Sequence, residues 1–156
     1  MQPLAVGDSA PDFTGTDQLG SAFRLSDHRG RFVVVFFYPK DFTPACTAQS
    51  CAFRDAFVEL TAAGAILLGV SGDTHASHVS FAQKHKLPYP LLSDADGAIR
   101  RAWRVPRSLL GLVPGRVTYV VNPQGLISMV FSSQFRASEH AQRALAAVTA
   151  PNSPNP

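Results

Sequence analysis

Val33-Val34-Val35-Phe36-Phe37-Tyr38 is an unbroken apolar run that stops at Pro39. It is too short for an independent helix and lacks the alternation of a half-exposed strand, so Arg31 to Tyr38 reads as a strand covered on both faces. Such a strand needs a layer above it and another below. Ala65 to Ser71, bounded by Gly64 and Gly72, is a second run of the same kind, and a helix between two parallel strands makes a right-handed crossover.

That helix has a readable start. Thr43 followed by Pro44 matches an N-cap with proline at the first helical position, and Phe53, Ala56, Phe57 and Leu60 follow at helical spacing. Cys46 then falls in the first turn, where N–H groups lack an intrahelical acceptor and the macrodipole favours an anion. A thiol there ionises more readily, and the thiolate is the nucleophilic form. Cys46 is therefore the candidate reactive residue.

The second cysteine, Cys51, lies five residues further on. Five helical steps rise about 7.5 Å and turn the side chain by roughly 140°, so the two sulfurs point apart. A disulfide wants Cα atoms within about 7 Å. If these cysteines pair, the helix must unwind locally.

Pro39, Thr43 and Cys46 form P-x-x-x-T-x-x-C, and Cys46 to Cys51 extends it as C-T-x-Q-x-C. The chain resembles the peroxiredoxins, and within them the Q type, also called bacterioferritin comigratory protein. The likeness extends to Gly7-Asp8-Ser9-Ala10-Pro11-Asp12-Phe13, Gly69-Val70-Ser71 with Ser77-His78, Leu91-Leu92-Ser93-Asp94, and Pro114-Gly115-Arg116-Val117-Thr118-Tyr119-Val120. The resemblance implies a thioredoxin-like α/β sandwich and a cofactor-free thiol peroxidase.

Under that resemblance Cys46 is the peroxidatic cysteine, oxidised by a hydroperoxide to a sulfenic acid, and Cys51 the resolving cysteine of an intramolecular disulfide. Thioredoxin or a similar dithiol restores both thiols by exchange. The Thr43 hydroxyl holds the peroxide oxygens in line, Pro39 shields the thiolate from water, and Arg116 supplies a fixed cation. Ala45 stands where the family often has glycine, and alanine favours the helix.

The length of 156 residues suits one domain, expected over residues 1–150, with 151–156 an irregular tail. A net charge of +3 without any run of lysine or arginine gives no basis for nucleic-acid binding. Two cysteines are too few for a secreted disulfide framework, and no apolar run reaches membrane-spanning length, so a cytoplasmic location is expected. An internal resolving cysteine removes the need for a partner subunit, which favours a monomer.

The remaining elements read in order. Met1 to Leu25 suggests a hairpin turning at Leu19-Gly20 and lying at the edge of the main sheet. Ser26 to Gly30 reads as a helical turn, His75 to His85 as a helix after Asp73-Thr74, Leu91-Leu92 as a short strand, and Asp94 to Gly97 as the lead into a helix through Trp103. Arg104 to Gly115 reads as a loop whose Leu109 to Val113 stretch could rim the site. Val117 to Val121 and Leu126 to Phe131 flank an Asn122-Pro123-Gln124-Gly125 turn, and Ser138 is expected to cap a closing helix.

Plainer roles stand beside these. Cys46 alone could be an inert buried thiol, Thr43 a simple cap, Pro39 a strand terminator, Arg116 a surface residue, and Arg100, Arg101 and Arg104 a solvated face. His75 and His78 with Asp73 suggest a metal site, yet two histidines three apart at a helix start lack a third convincing ligand, and they read as solvated helix residues. A dithiol oxidoreductase of the thioredoxin kind, or a redox sensor or holdase, remains an alternative, although C-x-x-C spacing is absent.

Overall fold

The computed structural model describes residues 2–108 and 113–149. In chain order the elements are β1 (Thr14–Thr16), β2 (Ala22–Arg24), a 3-10 turn (Leu25–His28), β3 (Val33–Phe37), α1 (Pro44–Ala62), β4 (Ile66–Ser71) and α2 (His75–His85). There follow β5 (Leu91–Ser93), α3 (Ala98–Ala102), β6 (Arg107–Ser108), β7 (Val113–Pro114), β8 (Val117–Val121), β9 (Ile127–Ser132) and α4 (Ala137–Thr149).

The main sheet has five strands in the order β5-β4-β3-β8-β9. β3 runs parallel to β4, and β4 to β5, while β8 is antiparallel to both β3 and β9. The most apolar strand is thus the central one, flanked on both sides. Its residues alternate between two cores, as the two-residue period of a strand requires. Val33, Val35 and Phe37 face a cluster with Phe13, Phe23, Ile99 and Trp103. Val34, Phe36 and Tyr38 face the other, with Cys46, Phe53, Leu60, Phe81 and Ala144.

Helices α1, α2 and α4 therefore cover one face of the sheet, and α3 with the N-terminal hairpin covers the other. Gly69 of β4 permits this packing, because a Cβ there would press on the Phe36 ring and Leu91. Phe36 in turn stacks on Phe53 of α1 with ring centroids 4.3 Å apart. The β1-β2 hairpin meets the β5 edge through an antiparallel bridge between Asp17 and Leu92.

Three expectations change. Arg104 to Gly115 is not all loop, since β6 and β7 pair Arg107 with Pro114 and Ser108 with Val113. Ser138 does not cap α4, because the helix already begins at Ala137. His78 is fully buried instead of solvated, because its position on α2 faces the end of the sheet. Residues 109–112 of the proposed rim and the tail 151–156 lie outside the described residues. Among the described residues no helix is long and apolar enough to cross a membrane.

Candidate active site

Chain topology brings the site residues to one end of the sheet. β3 leaves the sheet at Tyr38-Pro39 and α1 starts at Pro44, so Cys46 sits in the first turn above the carboxyl end of the central strand. Phe37 pairs with Val117 of antiparallel β8, which puts Arg116 beside that same end. Cys46 is 0 % exposed and free. Pro39 is half-buried at the exit from β3.

Thr43 occupies the N-cap position with extended backbone but makes no capping hydrogen bond. Its Oγ1 donates instead to the Lys40 carbonyl at 2.8 Å. The simple-cap role is thus not what the hydroxyl performs. Phe42 just before it has φ +67, a conformation rare outside glycine and costing of order 1–3 kcal/mol. The residue is 47 % exposed, and its ring meets that of Phe81 edge-on at 5.1 Å.

What holds this strained bend is a buried polar network that sequence reasoning did not anticipate. The Asp41 carboxylate accepts from Tyr38 Oη at 2.7 Å and from Ser77 Oγ at 2.8 Å, and lies 2.7 Å from His78 Nδ1. His78 Nε2 is 3.2 Å from the Leu92 carbonyl oxygen. Asp41 N donates to Asp73 Oδ2, which also accepts from Ser71 Oγ. The loop carrying Pro39 and Thr43 is thereby tied to the end of β4, to β5 and to α2. Asp41, Asp73 and His78 offer three donor atoms within 4.8 Å, but the hydrogen bonds above already engage them.

Arg116 is 4 % exposed, so the surface alternative is excluded. Its Nη1 donates to Gln49 Oε1 at 2.6 Å and its Nε to the Gln134 carbonyl at 3.3 Å. Gln49 lies on α1 one turn beyond Cys46, so the guanidinium is fastened to the helix that bears the thiol. Gln49 is the site residue that residue-by-residue reading gave no role, although it stands within C-T-x-Q-x-C. Gly115 allows the approach of this strand, because a Cβ there would collide with the Pro106 carbonyl.

Behind Arg116 stands His140 of α4, fully buried. Its Nδ1 is 2.7 Å from Thr118 Oγ1 and its Nε2 2.9 Å from the Ser133 carbonyl oxygen. Burial, followed by the nearby charge of Arg116, outweighs the Ser133 contact and pushes its pKa down to about 4. At neutral pH the ring is therefore uncharged, Nε2–H donating to Ser133 and Nδ1 accepting from Thr118. Cys51 is half-buried and free, on the same helix as Cys46.

Residues 6–130 match the AhpC/TSA family. The rice (Oryza sativa subsp. japonica) protein named peroxiredoxin Q, chloroplastic, is 48% identical over 137 residues, covering 88% of this chain and 63% of its own length. This chain thus spans under two thirds of that relative. Mycobacterium tuberculosis peroxidoxin BcpB superposes with a TM-score of 0.87 at 38% identity, over 96% of this chain and 99% of its own. The bacterioferritin comigratory protein of Xanthomonas campestris gives 0.82 at 33%, over 89% and 91%. These relatives share the sandwich described above and confirm the thioredoxin-like expectation. With a thiol at the start of α1, a buried arginine tied to that helix, and family likeness over most of its length, the chain belongs to the AhpC/TSA family, in its peroxiredoxin Q branch.

Proposed function

We propose that the protein is a thiol peroxidase in which Cys46 reduces hydrogen peroxide and organic hydroperoxides. The observation that carries this reading is the fully buried Cys46 in the first turn of α1, with Arg116 fastened to the same helix through Gln49. The Cys46 thiolate attacks the terminal peroxide oxygen, the O–O bond breaks, and an alcohol or water leaves after taking a proton. Sulfur is oxidised to the sulfenic acid. First-turn N–H groups and the Arg116 guanidinium stabilise the charge that develops on the oxygens. Thr43 Oγ1, already donating to Lys40, turns its lone pairs toward an incoming hydroperoxide, and Pro39 restricts water.

Cys51 then condenses with the sulfenic acid, forming the S–S bond and releasing water. This step requires the turns between the cysteines to unwind. A dithiol such as thioredoxin reduces the disulfide and is itself oxidised. The Xanthomonas campestris relative is described by its alkyl peroxide reduction activity, which supports organic hydroperoxides as substrates. The chain acts as a monomer without a cofactor, in a reducing compartment such as the cytoplasm.

Mass spectrometry after one equivalent of peroxide tests the reading. The expected product has lost two hydrogens, with a bond mapped between positions 46 and 51. A Cys46→Ser protein that keeps full peroxidase activity, or insulin reduction without peroxide consumption, would overturn it.

A further inference from the structure

Four residues, Thr47 to Ser50, separate the two cysteines, and the last of them is tied to a distant side chain. The Tyr89 hydroxyl donates to the Ser50 carbonyl at 2.8 Å. That carbonyl belongs to the planar peptide unit joining Ser50 to Cys51. Cys51 therefore cannot swing toward Cys46 by rotation of this unit without disturbing the bond.

Tyr89 is well held. It lies between α2 and β5, is 2 % exposed, and packs edge-on against Phe36 at 5.7 Å. Gln18 of the N-terminal hairpin brackets it, its Nε2 donating to the Tyr89 carbonyl at 3.2 Å and its Oε1 accepting from Leu91 N at 2.8 Å. Burial pushes the phenol pKa up, so it stays a hydrogen-bond donor. One turn further along α1, Arg54 Nη1 donates to the His85 carbonyl at 2.9 Å, which anchors the helix beyond Cys51 independently.

The same turn carries opposing features. Among the described residues, buried Gln49 Nε2 and Ser50 Oγ have no hydrogen-bond partner, and such orphaned groups disfavour the folded turn. Unwinding hydrates both. The segment is thus disfavoured by two unsatisfied groups and restrained from outside the helix by two contacts, Arg116 on the Gln49 side chain and the Tyr89 hydroxyl on the Ser50 backbone, of which only the second holds the peptide that carries Cys51.

We propose that Tyr89 is a positioning residue that latches the Ser50–Cys51 peptide and so sets how readily α1 opens between the two cysteines. This deepens the peroxidase reading and rests on it. A tighter latch keeps Cys46 in its reactive geometry but delays its capture by Cys51. The sulfenic acid then has longer to meet a second hydroperoxide, which would convert it to the sulfinic acid with release of one alcohol or water. The latch therefore partitions the intermediate between a recoverable disulfide and a dead end.

Tyr89→Phe removes the hydroxyl and leaves the ring. In the reduced protein without peroxide, amide exchange at residues 47–51 is expected to speed up about fivefold, the effect of one net hydrogen bond, with exchange in α4 unchanged. In single turnover the first oxidation should keep its rate. Sulfenic acid decay to the disulfide should be about fivefold faster, and the peroxide concentration that overoxidises half of Cys46 should rise by the same factor. Unchanged exchange at 47–51, or equal acceleration in α1 and α4, would overturn the latch. Absence of any 46–51 bond in either protein would sink the resolving role of Cys51, while the exchange data still decide the latch.

Discussion

Arg116 Nη1 and Gln49 Oε1 lie 2.6 Å apart with both side chains buried, so the cation immediately before β8 is fastened to the helix that carries Cys46. The link has two consequences. It fixes the guanidinium against α1 at Gln49, one turn beyond Cys46, while the helix is intact, and it makes that position depend on the helix staying wound. Under the proposed mechanism, chemistry and unwinding therefore act on the same contact.

Removing either partner should slow the first oxidation. Arg116→Met takes away the cation and is expected to lower the single-turnover rate of Cys46 oxidation about a hundredfold, the effect of losing one donor to developing charge. Gln49→Leu leaves the arginine but not its acceptor, and a loss of roughly tenfold is expected. A Gln49→Leu protein oxidised at the wild-type rate would show that the contact does not position the guanidinium.

Thr43 separates capping from catalysis. A capping hydroxyl contributes about 1 kcal/mol to stability, but Thr43 Oγ1 points to the Lys40 carbonyl and caps nothing. Thr43→Val should leave the urea midpoint nearly unchanged while peroxidase activity falls by at least tenfold, and Thr43→Ser should retain most of the activity. A large stability loss with activity preserved would reverse the assignment.

Asp41 and His78 pair at 2.7 Å with both side chains fully buried. Replacing His78 removes one of the three side chains that engage the Asp41 carboxylate, and losing a hydrogen-bond partner of a buried polar group costs about 1–3 kcal/mol. His78→Ala should therefore lower the thermal midpoint by several degrees. It should also slow Cys46 oxidation in the protein that remains folded, because the loop bearing Thr43 loses one of its two side-chain ties to α2, keeping only Ser77. Equal oxidation rates at full folding would confine the pair to a stabilising role.

His140 gives a signed pH dependence. Its pKa in the folded protein is lowered from 6.5 to about 4, so the unfolded chain binds a proton in a window where the native protein does not. Stability from this group is complete above pH 6.5 and falls as pH drops toward 4, by roughly 3 kcal/mol across the window. Denaturant unfolding from pH 7.5 to 4 should show that slope in the wild type. In His140→Gln it should be flatter, and parallel curves would refute the contribution.

Much of the site was legible in order along the chain. Thr43-Pro44 marked the helix start, the run ending at Pro39 marked the strand before it, and their spacing put Cys46 in the first turn. Asp41 and His78 were not legible, because 37 residues separate them and only the packing of α2 against the end of the sheet makes them neighbours. The same holds for Gln49 and Arg116, which are 67 residues apart. Thr43 failed differently: its residue type suits a cap, but the strained φ of Phe42 and the Lys40 carbonyl nearby redirected the hydroxyl.

Local sequence by itself determined the strand, the helix that follows it, the family signature and the five-residue interval between the thiols, because propensity, capping and periodicity act over a few residues. Only the tertiary structure decided that Arg116 is buried and held by Gln49, that His78 and Asp41 pair, and that Tyr89 grips the Ser50 carbonyl. Those contacts join distant parts of the chain, and their geometry exists once the sheet has brought its two neighbouring strands and its covering helices to the same end of β3.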